Sequence, residues 1–218
     1  MNSRLRTLLL VGLLAVFSVA AHAGASFLTG HPPMSPAYPF GWVTLNFDDL
    51  PGTILPIPNG YGNLNWSNYY YLDGVNYYNN PSGYQNGVVS PNNVAFNGFG
   101  DPASIWSTTT NPFIVYSGYL TAAWNDGLQV DLTGYYAGNP VISGSFLIDT
   151  SGPTFFWASA PVWIDTFTIV SSGGVNHGYG GSGTHFALDD LTVYTTPEPG
   201  TLILIGTGLL GLVRKLRK

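Results

Sequence analysis

Lysine and arginine are missing from most of this 218-residue chain, and cysteine is missing from all of it. The six basic residues lie at Arg4 and Arg6 and within the last five positions, after Val213. The long central part can therefore form neither disulfides nor salt bridges to lysine or arginine. Nucleic-acid binding is excluded for it, because that affinity depends on cations that neutralise phosphate.

Glutamate is also absent from the central part, which carries ten aspartates and a formal charge of −10 when all are ionised. A buried aspartate there needs backbone N–H groups, hydroxyls or a metal ion as partners. Glycosidases need two carboxylates placed on either side of the scissile bond, and most of these aspartates fit turns or strand faces. We therefore expect no enzyme activity, with an Asp-dependent polysaccharide hydrolase or lyase as the alternative.

Helical periodicity is absent from the central part as well. Apolar residues recur instead in strand-length segments that are bounded by Gly, Pro and Asn-Gly. Turns at such short spacing favour an all-β domain, specifically an antiparallel β-sandwich of the jelly-roll type. The predicted strands cover residues 43–47, 88–90, 94–96, 105–107, 113–123 (one long strand or a pair), 128–133, 141–148, 162–170 and 186–194. Strand alternation is also expected in the aromatic segment 64–71.

Both ends of the chain carry apolar segments. Residues 1–23 combine Arg4 and Arg6, an apolar run and the sequence Ala21-His22-Ala23. This order is typical of a signal peptide that is cleaved after Ala23, and an uncleaved anchor is the alternative. At the other end, Pro197-Glu198-Pro199 precedes the uncharged segment 201–213 and the basic tail 214–218. A helix over 201–213 is about 20 Å long, so it spans a membrane if the basic side chains snorkel.

The C-terminal order of Pro-Glu-Pro, short apolar helix and basic tail resembles the PEP-CTERM sorting signal. The resemblance implies a bacterial protein that an exosortase processes near Pro197, Glu198 and Pro199, in systems linked to exopolysaccharide and biofilm matrix. A plain tail anchor is the alternative. We predict a signal peptide (1–23), an exported domain (24–196) and a sorting signal (197–218). The protein would stay anchored in the membrane until processing and then reach the cell surface or extracellular matrix.

Aromatic residues provide the candidate binding surface. Trp66, Tyr69, Tyr70 and Tyr71 lie close together among asparagines. Sugar rings stack on aromatic faces while amides match their hydroxyls, so this pattern favours carbohydrate or exopolysaccharide binding. Strand alternation places Tyr69 and Tyr71 on one face and Tyr70 on the other. In the alternative interpretation, these rings fill the core.

Three segments, residues 64–68, 83–91 and 186–191, look similar to exported jelly-roll domains that occur with this sorting signal. The resemblance implies the architecture of galactose-binding-like modules, which host many functions. The expected function is that of an exported surface or matrix protein that binds carbohydrate. A purely structural matrix protein without a small ligand is the remaining alternative.

Two aspartate pairs, Asp48-Asp49 and Asp189-Asp190, each stand between an apolar residue and a leucine. Each interrupts the alternation of its strand, which predicts a β-bulge. In jelly rolls the first and last strands commonly lie side by side, which brings the pairs together. Oxygen ligands outside the cell favour a structural Ca²⁺, and galactose-binding-like modules often carry one near their terminal strands. Solvated edge residues are the alternative.

Overall fold

A computed structural model describes residues 24–30, 41–52, 54–76 and 81–195. The predicted signal peptide, including Ala21 and Ala23, lies outside this part, as does the sorting segment with Pro197, Glu198 and Pro199. In the described ranges no helix is long and apolar enough to cross a membrane. The predicted helix over 201–213 is outside those ranges.

The described chain is almost entirely β-structure. Its helical parts are one α-helical turn, α1 (Gly83–Asn86), and two 3₁₀ turns, Tyr61–Asn63 and Gly98–Gly100. The strands are β1 (Phe27–Thr29), β2 (Trp42–Leu45), β3 (Leu55–Pro56), β4 (Leu64–Ser67), β5 (Tyr69–Asp73), β6 (Asn93–Asn97), β7 (Ala103–Ser107), β8 (Phe113–Ala122), β9 (Asn125–Asp126), β10 (Leu128–Tyr136), β11 (Asn139–Ile148), β12 (Thr154–Ala158), β13 (Thr166–Ser172), β14 (Val175–Asn176) and β15 (Phe186–Thr195).

These strands form two large sheets and one small one. The eight-stranded sheet has the order β1-β12-β8-β15-β6-β5-β3, with β2 also paired to β15. The five-stranded sheet has the order β11-β10-β13-β7-β4, and β14 pairs with β9. The pairings between these strands are antiparallel. The prediction of an all-β domain with antiparallel sheets is confirmed.

The main core lies between the two large sheets. On β10, Leu128, Val130 and Leu132 are buried, and the polar residues between them are partly exposed. Their partners across the core include Leu120 of β8 and Leu188 of β15. Alternation therefore gives the five-stranded sheet one apolar face and one polar face.

A second, smaller core covers the other face of the eight-stranded sheet. It contains Leu72, Val94, Phe96, Tyr84 and Trp124. Strand β6 is consequently buried at every position, and β15 at most of them. This second layer forms the base of the candidate site.

Several predicted strands are corrected. The segment 64–71 is two strands in different sheets, because Asn68 has a left-handed backbone (φ 57°) and turns the chain between β4 and β5. Residues 88–90 form no strand. The segment 162–170 becomes strand only at Thr166, and β12 was not predicted.

Candidate functional site

A groove opens on the outer side of the second core. Its volume is about 260 Å³. Five of its eight lining residues are aromatic rings and none is an aspartate or glutamate. The lining residues are Ile54, Tyr70, Tyr84, Phe96, Gly98, Phe99, Trp124 and His185.

The base of the groove is a set of rings packed edge to face. The ring centroid of Tyr84 lies 5.4 Å from those of both Phe96 and Trp124. Tyr70 packs on Phe96 at 5.7 Å. Because these rings hold one another in place, the base has a defined shape before any ligand arrives.

Phe99 stands at the rim with 85% of its surface exposed. It occupies the middle of the 3₁₀ turn Gly98–Gly100 with φ 56° and ψ 10°. A left-handed backbone is unfavourable for a bulky residue and persists only where the surroundings impose it. A large, fully presented ring in such a conformation marks this turn as a candidate contact for a ligand.

Hydrogen bonds from three side chains fix the turn that carries Phe99. The Asn68 amide lies within 3.0–3.2 Å of three carbonyl oxygens, those of Gly98, Asp101 and Pro102, and donates to them. The buried Asn97 amide donates to the Asp101 carbonyl at 3.1 Å. From the opposite side, the Thr184 hydroxyl donates to the Gly100 carbonyl at 3.1 Å. The exposed ring is therefore presented by a rigid support.

The groove is uncharged at neutral pH. His185 is its one histidine, and burial lowers the pKa of this imidazole, which favours the neutral ring. Its Nδ1 is buried and finds no hydrogen-bond partner within the described residues. An uncharged aromatic groove suits a neutral ligand that offers an apolar face and hydroxyl groups.

Three of the four predicted aromatic site residues lie in the core instead. Trp66, Tyr69 and Tyr71 are each less than 10% exposed. The Trp66 indole donates to the Tyr61 carbonyl and packs edge to face on Tyr69 at 5.2 Å, and the Tyr71 hydroxyl donates to the Pro51 carbonyl. These rings point into the space between the sheets, where a sugar cannot reach them, so this part of the predicted surface is corrected.

Tyr70 is the one predicted aromatic residue that lines the groove. It takes the opposite face from Tyr69 and Tyr71, as alternation predicts. Sequence reasoning missed Phe99 and Trp124 as lining residues. The signal that was available for Phe99 is the sequence Asn97-Gly98-Phe99-Gly100, a ring between two glycines in a turn.

The aspartate pairs lie where β2, which contains most of the first predicted strand, meets the last strand, β15. Leu45 of β2 pairs with Leu191 of β15, and the register of β15 shifts after Asp189 where Asp190 adopts φ 49°. The predicted pairing of the two strands and the predicted bulge in β15 are confirmed, whereas the bulge predicted at Asp48-Asp49 is wrong, because β2 ends at Leu45 and this pair lies in the turn that follows. The Asp189 carboxylate is fully buried and accepts four hydrogen bonds: from the Val89 and Ser90 N–H groups, the Ser90 hydroxyl and the Asp190 N–H.

The other three aspartates of these pairs have separate environments. Asp49 accepts from the Tyr61 hydroxyl at 2.9 Å, and Asp48 accepts from the Asn93 N–H at 2.9 Å. Burial raises the pKa of Asp190, and the negative charge of Asp48 adds to the increase. Within the described ranges no three His, Asp, Glu or Cys side chains form a group that could hold a metal. Ca²⁺ binding at Asp48, Asp49, Asp189 and Asp190 stays a prediction.

Comparison with known proteins identifies the C-terminal segment. Residues 195–218 match the family described as the PEP-CTERM protein-sorting motif. The chain is therefore a protein with a PEP-CTERM sorting motif, which confirms the prediction made from Pro-Glu-Pro and the segments after it. No curated protein matches the sequence.

Among solved structures, the chain is similar to TmCBM61 in complex with beta-1,4-galactotriose. The match has 9% identity and a TM-score of 0.36, and it covers 67% of this chain and 100% of the other. This similarity is too low to establish a shared fold.

Proposed function

We propose that this chain is exported, sorted by an exosortase through its C-terminal motif, and binds a neutral carbohydrate in the Phe99 groove. The motif at residues 195–218 supports the first part. The proposal of carbohydrate binding rests on Phe99, which is 85% exposed and is held rigidly over an uncharged aromatic groove. Two antiparallel sheets around one core support the finer proposal of a jelly-roll β-sandwich.

The charge of the exported part narrows the type of carbohydrate. With ten aspartates and no lysine or arginine, this part repels polysaccharides that carry uronate or sulfate groups. A neutral glycan has no such penalty, and its C–H faces match the rings of the groove. We therefore place neutral exopolysaccharides ahead of acidic ones.

The alternative enzyme function finds less support at this site. Hydrolysis of a glycosidic bond needs two carboxylates on either side of that bond. No aspartate lines the groove, and Glu198 lies in the sorting segment. A hydrolase or lyase would need a different site, and a purely structural protein would need no groove.

Phe99→Ala is expected to weaken glycan binding about tenfold or more, because an exposed stacking ring contributes on the order of 1.5 kcal/mol. The fold should not change, since the ring has few contacts to lose. Binding of the full-length protein is measured on a glycan array and then by calorimetry with the best neutral oligosaccharide.

Val175→Ala is the matched control, because Val175 is also highly exposed (77%) and lies outside the groove. Equal affinity of wild type and Phe99→Ala for the same glycan would contradict the site. Absence of any glycan binding favours the structural alternative. New reducing ends or unsaturated products in the organism's own polysaccharide would favour the enzyme.

Sorting is tested at the motif. Glu198→Ala is expected to leave the protein in the membrane fraction with its C-terminus intact, because the processing enzyme no longer recognises the motif. Thr207→Ser, in the apolar segment, is the control and should be processed normally. The measurement is fractionation followed by mass spectrometry of C-terminal peptides. A peptide ending at Lys218 on wild-type protein released from the cells would contradict the proposal.

Within the two aspartate pairs, we propose Asp48 and Asp190 as the ligands of a structural Ca²⁺. The two carboxylates repel each other, and a bound cation would relieve that repulsion. We expect millimolar Ca²⁺ to raise the unfolding midpoint by about 2–4 °C over that with a chelator. Asp190→Asn should remove the rise, while Asp131→Asn, on another sheet, should keep it. Equal midpoints with Ca²⁺ and with chelator would exclude the site.

A further inference from the structure

Four aromatic side chains form a cluster at the C-terminal end of β15. Trp42 packs edge to face on Tyr116 and Tyr194, with centroid distances of 5.7 and 5.5 Å. Trp163 packs on Tyr194 from the other side at 5.6 Å. We call these four residues the terminal aromatic cluster.

The cluster is not part of either core. All four side chains are partly exposed, and neither core contains any of them. The surface of the domain therefore carries two indoles and two phenols close together at one end of its central strand.

This end of the domain is separated from the sorting segment by only a few residues of chain. Tyr194 is the next-to-last residue of β15, and the uncharged segment 201–213 begins six residues after Thr195. Six extended residues span at most about 20 Å. If the segment lies in a membrane, the terminal aromatic cluster must lie within about that distance of its start.

We propose that the terminal aromatic cluster lies in the head-group region of a phospholipid bilayer while the chain is anchored. This inference rests on the membrane anchoring that the proposed function includes. Trp and Tyr prefer that region because their rings are apolar while the indole N–H and phenol O–H reach polar partners. Held there, the domain would keep Pro197, Glu198 and Pro199 at the membrane surface, where a membrane enzyme can cut.

The charge of the exported part indicates which lipids the cluster accepts. Asp165 is the acidic residue nearest to Trp163 in the sequence, and its carboxylate accepts a hydrogen bond from the Ala137 N–H at 2.6 Å. No lysine or arginine lies between Arg6 and Arg214 to attract anionic head groups. Ring insertion must drive the contact, so zwitterionic lipids fit better than anionic ones.

The test uses full-length protein on phosphatidylcholine vesicles that carry a nitroxide quencher at the head group. The chain has six tryptophans, so variants assign the signal. The double variant Trp42→Phe/Trp163→Phe is expected to lose at least half of the head-group quenching. Trp106→Phe, in β7 of the other large sheet, should retain it.

Vesicle flotation separates the two proposals. Failure of the full-length protein to float shows that the anchoring is wrong, and the inference then falls with it. If the full-length protein floats but the wild type and the double variant are quenched equally, the anchoring stands and only the inference about the terminal aromatic cluster is overturned. Quenching that depends on Trp106 rather than on Trp42 and Trp163 also overturns it, because a different face then meets the lipid. Circular dichroism of each variant checks that the fold is kept.

Discussion

Asp189→Asn is expected to lower the free energy of unfolding by about 3 kcal/mol. The carboxylate is fully buried, and each of its oxygens accepts two hydrogen bonds at 2.7–3.3 Å. An asparagine supplies one acceptor oxygen, but its NH₂ group must face two donors that then lose their partner. Each buried donor left unsatisfied costs about 1–3 kcal/mol.

The loss reaches beyond one residue, because Asp189 ties two parts of the fold together. Its Oδ2 holds the N–H groups of Val89 and Ser90, which belong to the segment after α1. Its backbone lies in β15, at the bulge. With no lysine or arginine in the exported part, these N–H and O–H donors stabilise the buried charge in place of a cation.

Chemical denaturation of full-length protein at pH 7 measures the effect. Asp49→Asn is the matched control, since Asp49 is exposed and an asparagine oxygen still accepts from the Tyr61 hydroxyl. The control should change the free energy by less than about 0.5 kcal/mol. Equal stability of wild type and Asp189→Asn would show that this carboxylate is not a structural acceptor.

The pH dependence gives a second readout on the same pair of proteins. Burial raises the pKa of Asp189 from 3.8 to about 6, although the backbone hydrogen bonds to it act in the opposite direction. A raised folded-state pKa means that the folded protein binds this proton more tightly. The stabilisation that comes from protonation of Asp189 is full below pH 3.8, and it is lost as the pH rises through about 6. The stability difference between wild type and variant should therefore grow as the pH falls from 7 to 4.

The strands that face water on one side were the most predictable part of the fold. On β10, strict alternation of apolar and polar residues identified both the strand and its buried face. The apolar segment at 186–194 also identified β15, but its pattern did not show that both of its faces are covered. That second covering comes from Tyr84, Trp124 and their neighbours, which lie far away in the sequence.

Backbone conformations that side chains impose were not predictable. Asn68 takes a left-handed conformation that divides one predicted strand into β4 and β5. Its amide then fixes the turn that carries Phe99. An asparagine in an aromatic segment gives no warning of this, because the same residue also fits an exposed strand position.

The candidate site was only partly predictable because its rings come from distant segments. Tyr70, Phe99, Trp124 and His185 meet through sheet order rather than local spacing. Alternation assigned Tyr70 to a different face from Tyr69 and Tyr71, but it did not say which face was covered. Amphipathic rings fit both a core and a binding surface, so composition alone cannot separate these interpretations.

Gly83→Ala is expected to destabilise the domain by about 3 kcal/mol or more and to distort the groove. A Cβ atom at this position would lie 1.7 Å from the Ala122 carbonyl oxygen and 2.8 Å from the Ala123 Cα. Both neighbours are backbone, so neither can rotate away. Overpacking of a buried site typically costs 1–3 kcal/mol, and here the displaced group is the end of β8.

The groove depends on this close approach because α1 positions Tyr84. The Gly83 N–H donates to the Ala123 carbonyl at 2.9 Å, and the Ser82 hydroxyl caps the turn by accepting from the Gln85 N–H. Moving α1 outward breaks the first bond and lifts Tyr84 from Phe96 and Trp124. Glycan affinity should therefore fall even at temperatures where the variant stays folded.

Gly152→Ala is the control, because no atom lies within 4 Å of the added Cβ, and it should leave both stability and glycan affinity unchanged. Unchanged stability and affinity in Gly83→Ala would mean that α1 does not pack this closely on β8, and the base of the groove would then need another support.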